Sequence, residues 1–213
     1  MIKNVFFDFN GTLLDDLDLC CEIEFTMMSS YGLKPYTMKE YCDKFYFPVK
    51  NYYHDVGFKD EDYPMLAEFF MKSYSERWLG ETKLFSGCKD ALLNLKKKGY
   101  KLYCLSATKY GLLKEQLKFL NILECFDDIC GARDNMAHGK IDYGKAFIFE
   151  HKIDPTETIM VGDTEHDYET ADALGFKCIM FSKGHCSRWR LEKLPCPICD
   201  SYSQIVEEIS KSF

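Results

Sequence analysis

The segment from residue 8 to residue 14, Asp-Phe-Asn-Gly-Thr-Leu-Leu, constrains the fold of this chain more than any other feature of it. It directly follows an apolar run that contains Val5, Phe6 and Phe7, which predicts a buried strand ending at the Asp8 carboxylate. A Gly-Thr turn after such a strand exposes backbone N–H groups that can hold a phosphate. The segment therefore predicts an anionic oxygen beside an anion-binding turn.

Strand and helix patterns alternate along most of the chain. Short apolar runs predict strands at 3–9, 102–105, 126–130, 158–161 and 178–181, and helical apolar spacing predicts helices at 87–98, 110–119, 143–152, 168–174 and 203–210. Alternating strands and helices are typical of a parallel sheet covered on both faces. We therefore expect an α/β fold with a doubly wound, Rossmann-like parallel sheet.

Between residues 16 and 84 this alternation stops. The segment shows no strand pattern, only helix-like apolar spacing interrupted by glycines and prolines. A chain of 213 residues is long enough for one large domain and a small accessory one. We expect a core domain made of residues 1–15 and 85–213, and a small helical domain of residues 16–84 inserted after the first strand.

Polar residues stand at the ends of three predicted strands. Asp8 ends the first strand, Ser106 ends the second, and Asp163 follows the strand at 158–161; Asp167 lies one helical turn further on. The carboxyl ends of parallel strands meet at one edge of the sheet, so these side chains are expected to lie together. Carboxylates at that density require a cation, and hard oxygen ligands favour Mg²⁺.

Composition limits the classes of partner. Hydrophobic residues make up 46% and charged residues 29% of the chain, as in ordinary soluble globular proteins. The formal charge of −7 argues against nucleic acid or an anionic membrane as partner. No apolar run approaches the ~18 residues that span a bilayer, and no secretory signal pattern is found. We expect a cytoplasmic protein.

Eleven cysteines are not spaced as a disulfide framework. Cys196 and Cys199 form a Cys-Pro-Ile-Cys motif, with His185 and Cys186 upstream, and such a set of ligands suits tetrahedral zinc. The alternative is a final strand and turn that lead into the last helix. A single Cys-x-x-Cys without a second pair favours this alternative.

Taken together, D-F-N-G-T-L-L-D, then S-A-T after a strand, a lysine, and G-D-T-E-H-D resemble the haloacid dehalogenase superfamily, nearest to its phosphoglycolate phosphatase-like members. The resemblance covers essentially the whole chain, and residues 16–84 fall where that group carries its cap domain. It implies a magnesium-dependent phosphohydrolase that acts on a small phosphorylated metabolite through an aspartyl-phosphate intermediate.

The resemblance also implies roles for the residues that hold the phosphoryl group. Asp8 matches the nucleophile that attacks phosphorus, which splits one displacement into two. Ser106 and the backbone N–H of Ala107 match the group that binds the phosphoryl oxygens. Lys140 matches the lysine that steadies nucleophile and phosphate, by its distance from the Asp-Pro pair at 154–155, and Lys145 is the alternative.

The magnesium ligands implied by the resemblance are Asp8, Asp163 and the main-chain carbonyl of Asn10. Asp167 matches an outer carboxylate that orients the lysine or the metal's water molecules. A metal ion and a lysine would neutralise charge on the transferring phosphoryl group.

Asn10 departs from the family pattern, because phosphatases of this family carry an Asp there as the acid and base. Proton transfer of this kind contributes ~10²–10⁴ in rate, and an amide cannot supply it. Three explanations stay open. The enzyme acts on substrates with good leaving groups or recruits an acid from the insertion, or the asparagine is an engineered substitution that traps substrate. In the third, the protein is catalytically silent and binds a phosphate ligand or a protein partner. We favour a hydrolase of reduced or atypical activity.

The insertion carries the indication of substrate binding. It is rich in aromatic residues, namely Tyr41, Phe45, Tyr46, Phe47, Tyr52, Tyr53, Phe69, Phe70, Tyr74 and Trp78. We expect most of them to form the small core of the insertion. A few, with a lysine or Arg77, are expected to line a pocket that closes over the substrate.

Overall fold

A six-stranded parallel β-sheet forms the centre of the structure, a computed structural model that describes residues 1–132 and 140–211. The strands are β1 (Asn4–Phe7), β2 (Leu14–Asp15), β3 (Lys83–Leu84), β4 (Lys101–Lys109), β5 (Asp128–Ala132), β6 (Thr158–Gly162), β7 (Lys177–Phe181) and β8 (Ile198–Cys199). The α-helices are α1 (Leu17–Ser30), α2 (Met38–Lys44), α3 (Val49–Val56), α4 (Tyr63–Glu81), α5 (Cys88–Lys97), α6 (Tyr110–Phe119), α7 (Lys140–His151), α8 (Glu165–Leu174), α9 (Arg188–Leu191) and α10 (Tyr202–Lys211).

The order of the strands across the sheet is β5-β4-β1-β6-β7-β8, and every pairing in it is parallel. From β1 the chain builds outward on one side through β4 and β5, and on the other through β6, β7 and β8. The strand order therefore reverses beside β1, which is where open parallel sheets bind their ligands. The predicted α/β fold with a doubly wound, Rossmann-like sheet is confirmed.

Both faces of the sheet are buried because neighbouring side chains of one strand point to opposite sides. Val5 and Phe7 pack in an apolar cluster with residues of α5, α6 and α10. Phe6, between them, packs in a second cluster with residues of α7, α8 and α9. A continuous apolar run such as β1 is thus explained by burial on two sides.

The helices α1 to α4 follow directly after the first strand and have an apolar cluster of their own. Its buried members include most of the tyrosines at the centre of the insertion, namely Tyr41, Tyr52, Tyr53 and Tyr74, together with Trp78. The domain boundaries at 15/16 and 84/85 stay a prediction. The expectation of no strand between residues 15 and 84 was wrong at its end, because Lys83–Leu84 pairs antiparallel with Leu14–Asp15. A two-residue ribbon carries too few residues for a periodic signal.

Element boundaries differ by a few residues from the predicted ones. Helix α8 begins at Glu165 rather than 168, because the Thr164 and Asp167 side chains form a capping box that starts the helix earlier. Strand β4 runs on to Lys109 with a register shift after Leu105. Among the described residues, no helix is both long and apolar enough to cross a bilayer.

Candidate active site

Three carboxylates and one lysine lie together at the carboxyl edge of the sheet, next to β1. The Lys140 Nζ donates to Asp8 Oδ1 and to Asp167 Oδ1, each at 2.5 Å. Asp163 joins them, and one carboxylate oxygen from each of the three aspartates lies within 4.8 Å of the others. All four side chains are buried. The structure thus gathers residues whose positions in the chain differ by up to 159.

Neighbouring groups hold the orientation of each carboxylate. Asp167 Oδ2 accepts from the backbone N–H groups of Asp163 and Thr164, at 3.2 and 3.0 Å, and from the Thr164 hydroxyl at 2.8 Å. Asp163 Oδ1 accepts from the Thr12 hydroxyl at 2.8 Å, and its Oδ2 accepts from the backbone N–H of His185 at 2.7 Å. The capping box of α8 therefore aims Asp167 away from solvent and toward the lysine.

The charges of the site do not balance. Burial raises the pKa of Asp8 to about 8 and, with the nearby Asp167 carboxylate, that of Asp163 to about 6. Burial also acts on Asp167, but its bonds to Lys140 and Thr164 hold its pKa below the ordinary value. Among the described residues, one lysine thus faces three buried carboxylates. A divalent cation would supply the missing charge, and this all-oxygen donor set fits Mg²⁺.

The backbone around Asp163 leaves no room for side chains. Gly11 has a φ of +72°, which favours glycine, and a Cβ there would lie 2.3 Å from Asp163 Oδ2. A Cβ on Gly184 would lie 2.2 Å from the same oxygen. Two loops can therefore close around this carboxylate only because each carries a glycine at the contact.

The residues proposed to bind phosphate lie at the end of β4, beside β1 in the sheet. Ser106 is buried and its Oγ accepts from the backbone N–H of Thr108 at 3.1 Å, while Ala107 is exposed. Lys140 is the lysine that the structure brings to Asp8, since Lys145 is exposed on α7.

Asn10 lies at the boundary between the sheet and the helical insertion. Its Nδ2 donates to Asp16 Oδ2 at 2.7 Å and to the Tyr74 hydroxyl at 2.8 Å. Its Oδ1 accepts from the Thr108 hydroxyl at 3.0 Å. The side chain thus connects the loop after β1, helix α4 and the end of β4.

Sequence reasoning missed the second charged pair of this region. Asp16 and His185 are both buried, and His185 Nε2 lies 3.1 Å from Asp16 Oδ1. The other ring nitrogen, Nδ1, lies 3.1 Å from the Tyr41 hydroxyl of α2. Burial opposes a charged imidazole, but the hydrogen bond and charge of Asp16 raise the pKa of His185 to about 9. The only sequence signal was the position of Asp16, directly after the first motif.

The cysteine motif and Arg77 are placed away from these groups. Ile198–Cys199 forms β8, and α10 follows, so the strand-and-turn alternative is what the structure shows. His185, which would have to complete a zinc set, is bound to Asp16 instead. Arg77 forms ion pairs with Glu22 and Glu81 on the insertion, and its role in a substrate pocket stays a prediction.

A doubly wound sheet with an acidic, lysine-containing site at its switch point is typical of enzymes that bind phosphorylated ligands. The family model of haloacid dehalogenase-like hydrolases matches residues 5–181. The chain therefore belongs to this family, as the sequence motifs predicted.

Curated relatives of this chain include two phosphoglycolate phosphatases. The protein from Aquifex aeolicus is 28% identical over 187 residues, which are 86% of each chain. The protein from Cereibacter sphaeroides is 28% identical over 120 residues, which are 56% of this chain and 55% of that protein. In the latter case the match spans only about half the length of the relative.

Solved structures share the fold along nearly the whole chain. A predicted phosphatase from Clostridium acetobutylicum superposes with a TM-score of 0.86 at 20% identity, covering 99% of this chain and 100% of that one. At this identity the likeness establishes the fold, including the helical insertion after the first strand.

Proposed function

We propose that this protein is a magnesium-dependent phosphatase that hydrolyses a small phosphorylated metabolite through an aspartyl phosphate on Asp8. The observation that carries the proposal is the buried Lys140, which donates at 2.5 Å to both Asp8 and Asp167. A lysine held between two carboxylates at a strand end opposes the effect of burial on the pKa of Asp8 and orients this nucleophile. It also offers positive charge to an incoming phosphoryl group.

The reaction takes place in two displacements. The Asp8 oxygen forms a bond to phosphorus as the bond from phosphorus to the leaving oxygen breaks, and the leaving oxygen departs as an anion that takes its proton from solvent. Water then attacks the phosphorus of the aspartyl phosphate, which releases inorganic phosphate and regenerates the carboxylate. Ser106, the Ala107 N–H and Lys140 hold the phosphoryl oxygens during both steps.

Asp8, Asp163 and the main-chain carbonyl of Asn10 would hold the magnesium ion. When bound, the ion neutralises charge on the phosphoryl oxygens and between the carboxylates. The excess of buried carboxylates over lysine, described above, supports this assignment. The Asp163 carboxylate accepts one hydrogen bond from the Thr12 hydroxyl and another from the His185 backbone N–H. These two bonds hold the side chain in one orientation, as a metal ligand requires.

The relatives narrow the substrates to be tested first. Several are named phosphoglycolate phosphatases, so 2-phosphoglycolate is the first physiological candidate. Asn10 supplies no acid for the leaving group, which favours substrates whose leaving oxygen needs little protonation. Acetyl phosphate and p-nitrophenyl phosphate have such leaving groups and are suitable probes.

The test is phosphate release from these three compounds, with Mg²⁺ and with EDTA. We expect magnesium-dependent turnover that falls at least ~10³-fold in Asp8→Asn, because the amide is a poor nucleophile. Lys140→Met is expected to lose ~10² or more, while Lys145→Met, a matched change on the exposed side of α7, keeps its rate. Turnover that survives Asp8→Asn would contradict the mechanism.

The fully bonded Asn10 carboxamide favours a second candidate, a silent protein that binds a phosphate ligand. Calorimetric titration with inorganic phosphate and Mg²⁺, beside the turnover assay, distinguishes the phosphatase from the silent binding protein. Binding without turnover of any compound in the panel would favour this second candidate, whereas turnover that depends on Asp8 excludes it.

A further inference from the structure

The carboxamide of Asn10 has no free hydrogen-bonding hydrogen. A carboxamide carries two N–H hydrogens, and Asp16 Oδ2 and the Tyr74 hydroxyl lie 2.7 and 2.8 Å from Nδ2. Its Oδ1 accepts from the Thr108 hydroxyl at 3.0 Å. The side chain is therefore held in one orientation by three different elements of the fold.

Asn10, Asp16 and Tyr74 form a closed triangle. The Tyr74 hydroxyl has a single hydrogen and donates it to Asp16 Oδ2 at 2.8 Å, so it can only accept from Asn10. Asp16 in turn accepts from both. A carboxylate at position 10 would offer no hydrogen to either partner and would place two acceptors 2.7 Å apart.

Both carboxylate oxygens of Asp16 make further contacts. Its Oδ1 accepts from the backbone N–H of Gly11 at 3.0 Å and lies 3.1 Å from His185 Nε2. The Cys20 thiol approaches its Oδ2 at 3.8 Å. Only 2% of the residue is exposed, so Asp16 cannot turn away from a new neighbour. The carboxylates of the catalytic cluster add further negative charge beside residue 10.

We propose that Asp16 is a positioning residue for Asn10, and that the site is built around an amide at position 10 rather than lacking an acid there. The proposal rests on the phosphatase function for its kinetic consequences, but the pairing itself is a property of the folded chain. An acid returned to position 10 then works only when position 16 is made neutral.

The test is a double-mutant cycle on the full chain with Asn10→Asp, Asp16→Asn and the double variant. Thermal unfolding is measured in EDTA, so that neither metal nor turnover enters. We expect Asn10→Asp to lower the melting temperature by roughly 4 °C or more, because two buried acceptors face each other. In the double variant an amide again faces a carboxylate, so we expect Asn10→Asp to lower the melting temperature at most half as much when added to Asp16→Asn as when added to the parent chain. The loss of the bond between Asp16 and His185 is common to Asp16→Asn and the double variant and cancels in this comparison.

Asn4→Asp is the matched control. Asn4 is also buried, and its Nδ2 donates to the Thr158 hydroxyl at 3.3 Å, but it is the first residue of β1, about 10 Å along the strand from Phe7, its last residue. Its effect on melting temperature is expected to add to that of Asp16→Asn without recovery. Tyr74→Phe removes the two hydrogen bonds of the Tyr74 hydroxyl without changing charge, and it is expected to lower the melting temperature less than Asn10→Asp.

The turnover of acetyl phosphate with Mg²⁺ provides a second test, because kcat would not change if residues 10 and 16 formed a purely structural pair. We expect Asn10→Asp alone to gain no turnover, and the double variant to exceed it in kcat at least ~10-fold, since its acid is unopposed. An Asn10→Asp variant that melts within 1 °C of the parent chain and turns over faster would overturn the proposal. If no variant turns over any probe, the phosphatase function fails, and the unfolding cycle still decides the pairing.

Discussion

At the scale of single residues, buried charge pairs decide how this site behaves. Among the described residues, Lys140 and His185 are the cationic side chains that face its buried aspartates; Lys140 is held by Asp8 and Asp167, and His185 by Asp16. Neither partner of such a pair can be removed alone without leaving a buried charge unpaired. A single substitution here therefore changes stability as well as activity, and it is measured beside a matched control.

His185 gives a pH dependence of stability with a defined sign. Asp16 raises the pKa of His185 in the folded chain to about 9, against about 6.5 in the unfolded chain. The pair therefore contributes its full stabilisation of the fold below pH 6.5, and this stabilisation is lost as the pH rises through 9. We expect the free energy of unfolding in urea, measured in EDTA, to fall by about 3 kcal/mol more between pH 6.5 and 9.5 than in His185→Asn. Parallel curves for the two chains would show that the imidazole is neutral in the fold.

At the scale of secondary-structure elements, the segment between β7 and α9 joins the sheet to the insertion. His185 contacts both Asp163 and Tyr41, through its backbone N–H and its ring respectively. A few residues on, the guanidinium of Arg190 donates to the backbone carbonyls of Cys42 and Phe45, at 3.1 and 2.6 Å, and pairs with Glu165. The end of α2 is thus tied to the edge of the active site.

Loss of this tie is expected to loosen the end of α2 more than the sheet. Arg190→Ala removes two hydrogen bonds from buried guanidinium to backbone, so amide hydrogen exchange over residues 41–47 should become at least ~10-fold faster. Arg188→Ala is the matched control, because Arg188 is exposed and pairs only with exposed acids, Glu192 and Asp200. Equal rates of amide exchange over residues 41–47 in both variants would show that the hydrogen bonds of Arg190 do not stabilise the end of α2.

At the scale of the whole molecule, the proposed metal site would couple metal binding to folding through Asp8 and Asp163. These carboxylates come from strands β1 and β6, which are adjacent only in the folded sheet. An ion that binds the folded chain alone raises its melting temperature by mass action.

We expect saturating Mg²⁺ to raise the melting temperature by roughly 5–10 °C over EDTA, as for a ligand at about 100 times its Kd. Asp163→Asn should abolish the shift, whereas Asp200→Asn, a change at an exposed aspartate, should keep it. A shift that survives in Asp163→Asn would place the ion elsewhere.

The first motif and the strand ends were predictable because their signals are local. A continuous apolar run before Asp8 marks a strand buried on both faces, and the same pattern precedes Asp163. Parallel topology then brings their ends to one edge without further information. Helix starts were less predictable where a side-chain cap, such as that of Thr164, sets them.

The sequence by itself therefore determined the α/β class, the sheet and the set of carboxylates at its edge. Only the tertiary structure decided that Lys140 rather than Lys145 reaches Asp8, and that Asn10 faces Asp16 and Tyr74. The physical reason is sequence separation. Apolar periodicity is written in neighbouring residues, whereas a hydrogen bond between Asn10 and Tyr74 joins residues 64 positions apart and depends on how the insertion packs against the sheet.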